Sequence, residues 1–373
     1  MIVLNEAKPK YEKLDEILEE KLTNIRFLNQ VTIIIDLKEI LRKFFRPDIS
    51  AKNYNTKTLI EEISADVMNT VGHYRNYFYK KGKYTNFYIL DSMSKSSELD
   101  NFYPGYREEF YEKYSDIIST VPEDMTRSEF ENMLPENDFK RYICQKVRSV
   151  ISIVAKMFPH VYPINTSDVG DVVYSKLIIE NTKSNELIFI VSNDEMMFQL
   201  VSDNVSVITP KGIKSELITN KNLYQIVSKK DDLKTDLSIG LYPLVLSLAG
   251  VKKHSIKNVQ GIGFYKAIVL VESLLKLERI ENVASIAIPI QYSSLNDKIK
   301  GERIIIENKD LINLNYNIIK GDIFLNRNKK LLLNKITADH YRKYLKDDIK
   351  KLNEKIFTTV SLQFDMLLRG EKI

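Results

Sequence analysis

Three apolar runs of strand length in this chain lead into acidic residues, and a further acidic pair stands at the start of an apolar helix. Val31 to Ile35 runs into Asp36, Asn86 to Leu90 runs into Asp91, and Leu187 to Val191 is followed by Ser192, Asn193 and Asp194. Asp168 and Asp171 frame Val169 and Gly170 ahead of the apolar helical stretch. Strands that alternate with helices predict an α/β architecture with an open, mostly parallel sheet. In such sheets, ligands bind just beyond the carboxyl ends of the strands. Carboxylates gathered there repel one another unless a cation neutralises them, so a divalent metal is the natural occupant. Each acid also has a local alternative: Asp168 and Asp171 fit an N-cap and N3 pair, and Asp194 fits the cap of a helix carrying Met197 and Leu200. Their joint placement at successive strand ends favours one shared acidic site.

The chain of 373 residues is long enough for two compact domains with extensions. It is 44% hydrophobic and 28% charged, within the range of folded soluble proteins. No apolar run reaches the roughly 18 residues of a membrane span, and Met1 opens no signal-peptide pattern, so an intracellular, cytoplasmic location without a membrane partner is expected. The one cysteine, Cys144, cannot form an internal disulfide, and four scattered histidines beside it exclude a thiolate-rich zinc site. A net charge of +5 permits nucleic-acid binding without requiring it.

Along the chain, residues 1–30 read as a charged helical extension with Leu14, Ile17, Leu18 and Leu22 at helical spacing. An α/β domain spans 31–210, with helices expected from Leu37 to Phe45 and Lys57 to Tyr79, and a long polar interval at about 100–150. Residues 211–285 read as mostly helical around the glycines Gly250, Gly261 and Gly263. The segment 286–373 is a mixed extension ending in an amphipathic helix, with Tyr341, Leu345, Ile349, Leu352 and Ile356 on one face.

The order and spacing of these pieces over roughly residues 31–270 resemble the 5′-nuclease superfamily: flap endonucleases, the 5′-nuclease domain of bacterial DNA polymerase I and, most closely, T-even bacteriophage ribonuclease H. The resemblance implies a PIN-like sheet, an arch at about 100–150 and a helix–three-turn–helix DNA-binding subdomain at 211–285. Asp36 with the downstream Lys43 matches the first family block, and Asp91 followed by Tyr103, Tyr106 and Arg107 matches the second. Leu99 stands where that block carries an Arg. Asp168-Val-Gly-Asp171 matches an acidic block whose third position, an acid in the family, is Gly170 here. Asp194 begins the next block, with Met196 in place of its second acid. In the fifth block both acids are absent, and Val251 and His254 stand there before the Gly261-Ile-Gly263 hairpin.

The resemblance therefore implies half of a two-metal site. Asp36, Asp91, Asp168, Asp171 and Asp194 are the expected ligands of Mg²⁺ or Mn²⁺, with at most one ion held tightly. Lys43 and Arg107 are the expected catalytic cations. A thioether or a valine offers nothing to a hard ion, while His254 is open to binding Mn²⁺, contacting a phosphate or simply packing. DNA contacts are expected from Tyr103 and Tyr106 by stacking, although an aromatic cluster of this size also suits packing. Further DNA contacts are expected from Lys252, Lys253, Lys257, Gly261, Gly263 and Lys266, where glycines let backbone N–H groups approach phosphate. Three functions follow as alternatives. The first is binding of flap, branched or 5′-ended DNA with phosphodiesterase activity impaired or lost. The second is an active 5′→3′ exonuclease, flap endonuclease or RNA-primer-removing ribonuclease H acting on RNA–DNA hybrids. The third is a structural subunit among viral replication or transcription proteins in a phage-infected bacterium.

Overall fold

The computed structural model describes residues 15–16, 18–19, 30–41, 56–91, 97–104, 160–166, 169–183, 186–210, 215–280 and 290–336. Its centre is one six-stranded sheet: β1 (Gln30–Asp36), β2 (Tyr84–Asp91), β3 (Val161–Asn165), β4 (Leu187–Val191), β5 (Val205–Thr209) and β6 (Glu216–Ile218), in spatial order β3-β2-β1-β4-β5-β6. All neighbours are parallel except β5 and β6. Val31 to Asp36 and all of β4 and β5 are buried, as strands covered on both faces must be, and this explains their unbroken apolar runs. The antiparallel β6 lies in a stretch expected to be mostly helical; three residues are too few to show a period of two.

The chain proceeds outward from β1 through β2 to β3, then returns to place β4 on the other side of β1. The gap between β1 and β4 is therefore the topological switch point, where parallel sheets open a crevice at their carboxyl ends. Asp36 ends β1, and Asp194 lies three residues past β4, so the switch point brings together acids 158 positions apart in sequence.

Helices flank the sheet. They are α1 (Leu37–Leu41), α2 (Thr56–Lys80), α3 (Ser97–Phe102), and α4 (Asp171–Asn181), which connects β3 to β4. The α2 helix matches the sequence expectation within one residue at each end. The described residues of the N-terminal extension pack on α2. Leu18 is fully buried, His73 Nε2 lies 2.9 Å from Asp15 Oδ1, and the Tyr77 hydroxyl donates to Glu19 at 2.9 Å.

After the sheet come α5 (Leu223–Ser228), α6 (Tyr242–Ala249), α7 (Phe264–Lys276), α8 (Lys300–Glu307), α9 (Lys309–Lys320) and α10 (Asp322–Ile336). The loop between α6 and α7 is closed by an antiparallel bridge from Val251 to Ile256 and by the Val259 N–H donating to the Leu248 carbonyl at 2.9 Å. Gly250 is required there, because its φ is +70° and an added Cβ would sit 2.5 Å from the Asn258 backbone nitrogen. Asn315 on α9 donates to the carbonyls of Ser247 and Lys257, which fixes this loop to the C-terminal helices. The amphipathic stretch from Tyr341 to Ile356 lies outside the described residues, as does the interval 105–159 that contains most of the expected arch.

Candidate metal centre

Asp36, Asp171 and Asp194 meet at the switch point. One carboxylate oxygen from each lies within 4.8 Å of the others, and all three residues are buried. Each arrives by a different local device. Asp36 is the last residue of the central strand and is 1% exposed. Asp171 is the first residue of α4, where the helix dipole favours a negative charge. The expected N3 position for it is corrected to N1, since Gly170 takes the N-cap at φ +88° and the helix begins two residues later than expected, at Asp171. Asp194 caps the 3-10 helix Glu195–Leu200, its Oδ1 accepting from the Met196 N–H at 3.0 Å, so it combines the capping and clustering roles that the sequence left as alternatives.

Every carboxylate oxygen of the trio has a protein partner. Asp36 Oδ1 accepts from the Lys38 N–H at 3.1 Å, and Oδ2 accepts from the Ser192 hydroxyl at 3.0 Å. Asp171 Oδ1 accepts from the Thr166 hydroxyl, and Oδ2 pairs with the Lys38 ammonium at 3.0 Å. Asp194 Oδ2 lies 2.6 Å from His254 Nε2. Lys38, Thr166 and Ser192 had no sequence signal beyond their nearness to strand ends. Two more acids stand close by: Glu39 accepts from the Asn193 amide at 2.7 Å, and Glu195 lies 3.9 Å from the Lys253 ammonium.

This concentration of negative charge acts on Asp36. Its carboxyl is pushed up from 3.8 to about 7, chiefly by burial; Lys38 opposes the rise, while Asp171, Glu39 and Asp194 add to it. Burial likewise raises Glu195, against the pull of Lys253. Three inward-facing carboxylates with one of them held above its ordinary range form a donor set that suits a single hard divalent cation.

Asp91 and Asp168 are the remaining expected ligands. Asp91 is buried at the end of β2, level with Asn165 of β3, and is not one of the three clustered acids. Asp168, Lys43, Tyr106 and Arg107 lie outside the described residues. Tyr103 is 7% exposed and its hydroxyl accepts from the Lys257 N–H at 3.3 Å, so of the two alternatives its ring takes the packed one in this structure.

Two of the positions where the resemblance implies further acids are buried and apolar. Met196 is 4% exposed and Val251 2%. His254, 3% exposed, faces inward onto Asp194, so of its alternatives it adopts an internal hydrogen-bonded pair. A cleft beside the trio is lined by Leu99, Gly170, Asp171, Asp194, Met196 and His254. Leu99, at the position of the expected Arg, is 3% exposed and gives that cleft an apolar wall. Lys252, Lys253, Lys257 and Lys266 are all exposed; the Lys253 ammonium donates to the Asn193 carbonyl, and the Lys266 ammonium donates to the Gly261 carbonyl at 3.1 Å.

No protein-family model and no curated protein matches the chain. Solved structures do. A pseudo-enzyme–product complex of the bacteriophage T5 flap endonuclease with DNA and metal ions aligns at a TM-score of 0.52 and 12% identity, covering 86% of this chain and 98% of the other. T5 5′-exonuclease with bound zinc ions aligns at 0.51 and 12% identity with the same coverage. At that identity the likeness carries the fold alone.

Proposed function

We propose that this protein, which has the 5′-nuclease fold, binds flap, branched or 5′-ended DNA and has lost most or all of its metal-dependent phosphodiesterase activity. One observation supports the reading: Asp36, Asp171 and Asp194 cluster as the carboxylates for one cation, while Met196, Val251 and His254, where the resemblance implies acids for a second, are buried without a carboxylate. Asp91 and Asp168 complete the proposed acidic set, with Lys43 and Arg107 as its cations. A bound Mg²⁺ or Mn²⁺ would supply Lewis-acid polarisation of a phosphate oxygen. This chain's own residues contribute the anionic cradle, and Leu99 and Met196 limit water on its cleft side. The proposed DNA contacts are the backbone of Gly261 and Gly263 and the four surrounding lysines, whose exposure suits phosphate contacts. The work would take place in the cytoplasm of a phage-infected bacterium, beside viral replication proteins.

A second reading keeps one-ion hydrolysis of DNA or of RNA–DNA hybrids, resting on the three clustered carboxylates as the cradle of a single working ion. Binding and cleavage of a labelled 5′-flap duplex in Mg²⁺ and then Mn²⁺ decide between them. Binding without cutting supports the first reading and cutting supports the second. Absence of both leaves a structural subunit of a viral assembly.

Neutralising Lys252, Lys253, Lys257 and Lys266 together is expected to weaken DNA binding at least tenfold near physiological salt. Each lost phosphate contact should also flatten the log–log salt slope by about 0.9. Fluorescence anisotropy at several salt concentrations checks this, and an unchanged slope in a folded variant would remove the loop from the DNA interface.

A further inference from the structure

Lys38 touches two members of the acidic trio at once. Its backbone N–H donates to Asp36, and its ammonium pairs with Asp171 Oδ2 at 3.0 Å. The Asp171 side chain is 2% exposed, whereas that of Lys38 is 19% exposed, so the charged head reaches inward from a residue with an open side. The contact follows from local structure: β1 ends at Asp36 and α1 begins at Leu37, which aims the second helical residue across the switch point at the N-terminus of α4.

A divalent ion shared by these three carboxylates would lie roughly 2.0–2.6 Å from its oxygens. An ammonium 3.0 Å from one oxygen of the Asp171 carboxylate would then stand within several ångströms of the ion, with two like charges in a site the solvent barely screens. The two cations repel each other, so each weakens the hold of Asp171 on the other. Lysine is the side chain best suited to yield, being a strongly hydrated point charge on a flexible four-carbon stem.

We infer that Lys38 is a resident counter-cation that competes with divalent metal for Asp171, so that the ion enters only as the Lys38 ammonium swings out to solvent. The inference rests on the cation-cradle part of the proposed function and is independent of DNA binding. Lys38 thereby sets the metal affinity of the site: the protein neutralises its own acids at rest, and the ion binds by exchange.

Mn²⁺ titration of the full chain, followed by electron paramagnetic resonance of the free ion, tests this in wild type, Lys38→Met, Lys38→Gln and Lys38→Arg. The Met and Gln variants are expected to bind Mn²⁺ at least about tenfold more tightly than wild type, because the competing charge is gone, while Arg retains the weak binding. Equal or weaker binding by a folded Met or Gln variant overturns the inference. Amine-specific labelling of the wild-type protein provides a measurement that needs no variant. Saturating Mg²⁺ should raise the labelling rate of Lys38 severalfold, and an unchanged or reduced rate overturns the inference as well. Flap-duplex binding measured on the same samples separates the two claims. Loss of DNA binding with the Mn²⁺ effect intact removes only the DNA reading, whereas intact DNA binding with no Mn²⁺ effect removes only the role of Lys38.

Discussion

Replacing Asp36 with Asn is expected to stabilise the metal-free protein at pH 8 and to abolish its stabilisation by divalent ions. The folded carboxyl sits at about 7, above its ordinary 3.8, with burial as the main cause. The folded chain therefore holds an extra proton between about pH 4 and 7. Stability falls as pH rises across that window, and the whole penalty is present above it. Asn carries no charge to bury, so the variant lacks this contribution to the slope and gains on the order of 2–4 kcal/mol at pH 8. Its amide oxygen still suits the Lys38 N–H, and its amide group can turn to the Ser192 oxygen, so the hydrogen-bonding demand is met. Thermal unfolding in chelator from pH 4.5 to 8 should show the two proteins diverging as pH rises. Adding Mg²⁺ at pH 8 should raise the midpoint of the wild type alone. Parallel pH curves would show that Asp36 does not carry the unneutralised charge of the site.

The second large effect is expected from His254→Asp, which places an acid where the resemblance led us to expect one. In the metal-free protein it removes the Nε2 partner of Asp194 Oδ2 and sets a second buried carboxylate against the first. Breaking a buried pair in this way costs about 3–5 kcal/mol. A divalent ion has the opposite effect, since two neighbouring carboxylates bind it better than a carboxylate and an imidazole do. The variant should unfold at a clearly lower temperature in chelator and regain more stability in Mg²⁺ or Mn²⁺ than wild type does. A midpoint close to wild type in chelator, or no extra gain from metal, would refute this account of His254. Full reconstruction meets greater resistance. Met196→Asp and Val251→Asp would bury carboxylates at positions 4% and 2% exposed, and Gly170→Asp would force a side chain onto φ +88° with Leu99 Cδ1 3.2 Å from its Cβ. Packing and backbone strain at these positions oppose a carboxylate, so no one substitution is expected to build a second acidic set there.

The sequence by itself determined the sheet and the edge at which its acids gather. Unbroken apolar runs such as Ile33-Ile-Ile35 and Leu187–Val191 belong to strands covered on both faces, and acids at their ends mark where a parallel sheet opens. The helix from Thr56 to Lys80 was legible because it repeats its pattern over many turns. The short strand Glu216–Ile218 and the late start of the helix at Asp171 were not, since three residues show no period and a glycine at φ +88° leaves no mark on hydropathy. Only the tertiary structure decided which acids meet. Asp36, Asp171 and Asp194 converge because the chain returns across β1, whereas Asp91, equally strand-terminal, stays outside the trio. It likewise decided that Tyr103 packs and that His254 turns onto Asp194. Lys38 faces Asp171 across 133 positions of sequence for the same reason. A side chain's partner across the fold depends on how elements cross, and that information is distributed over the whole core.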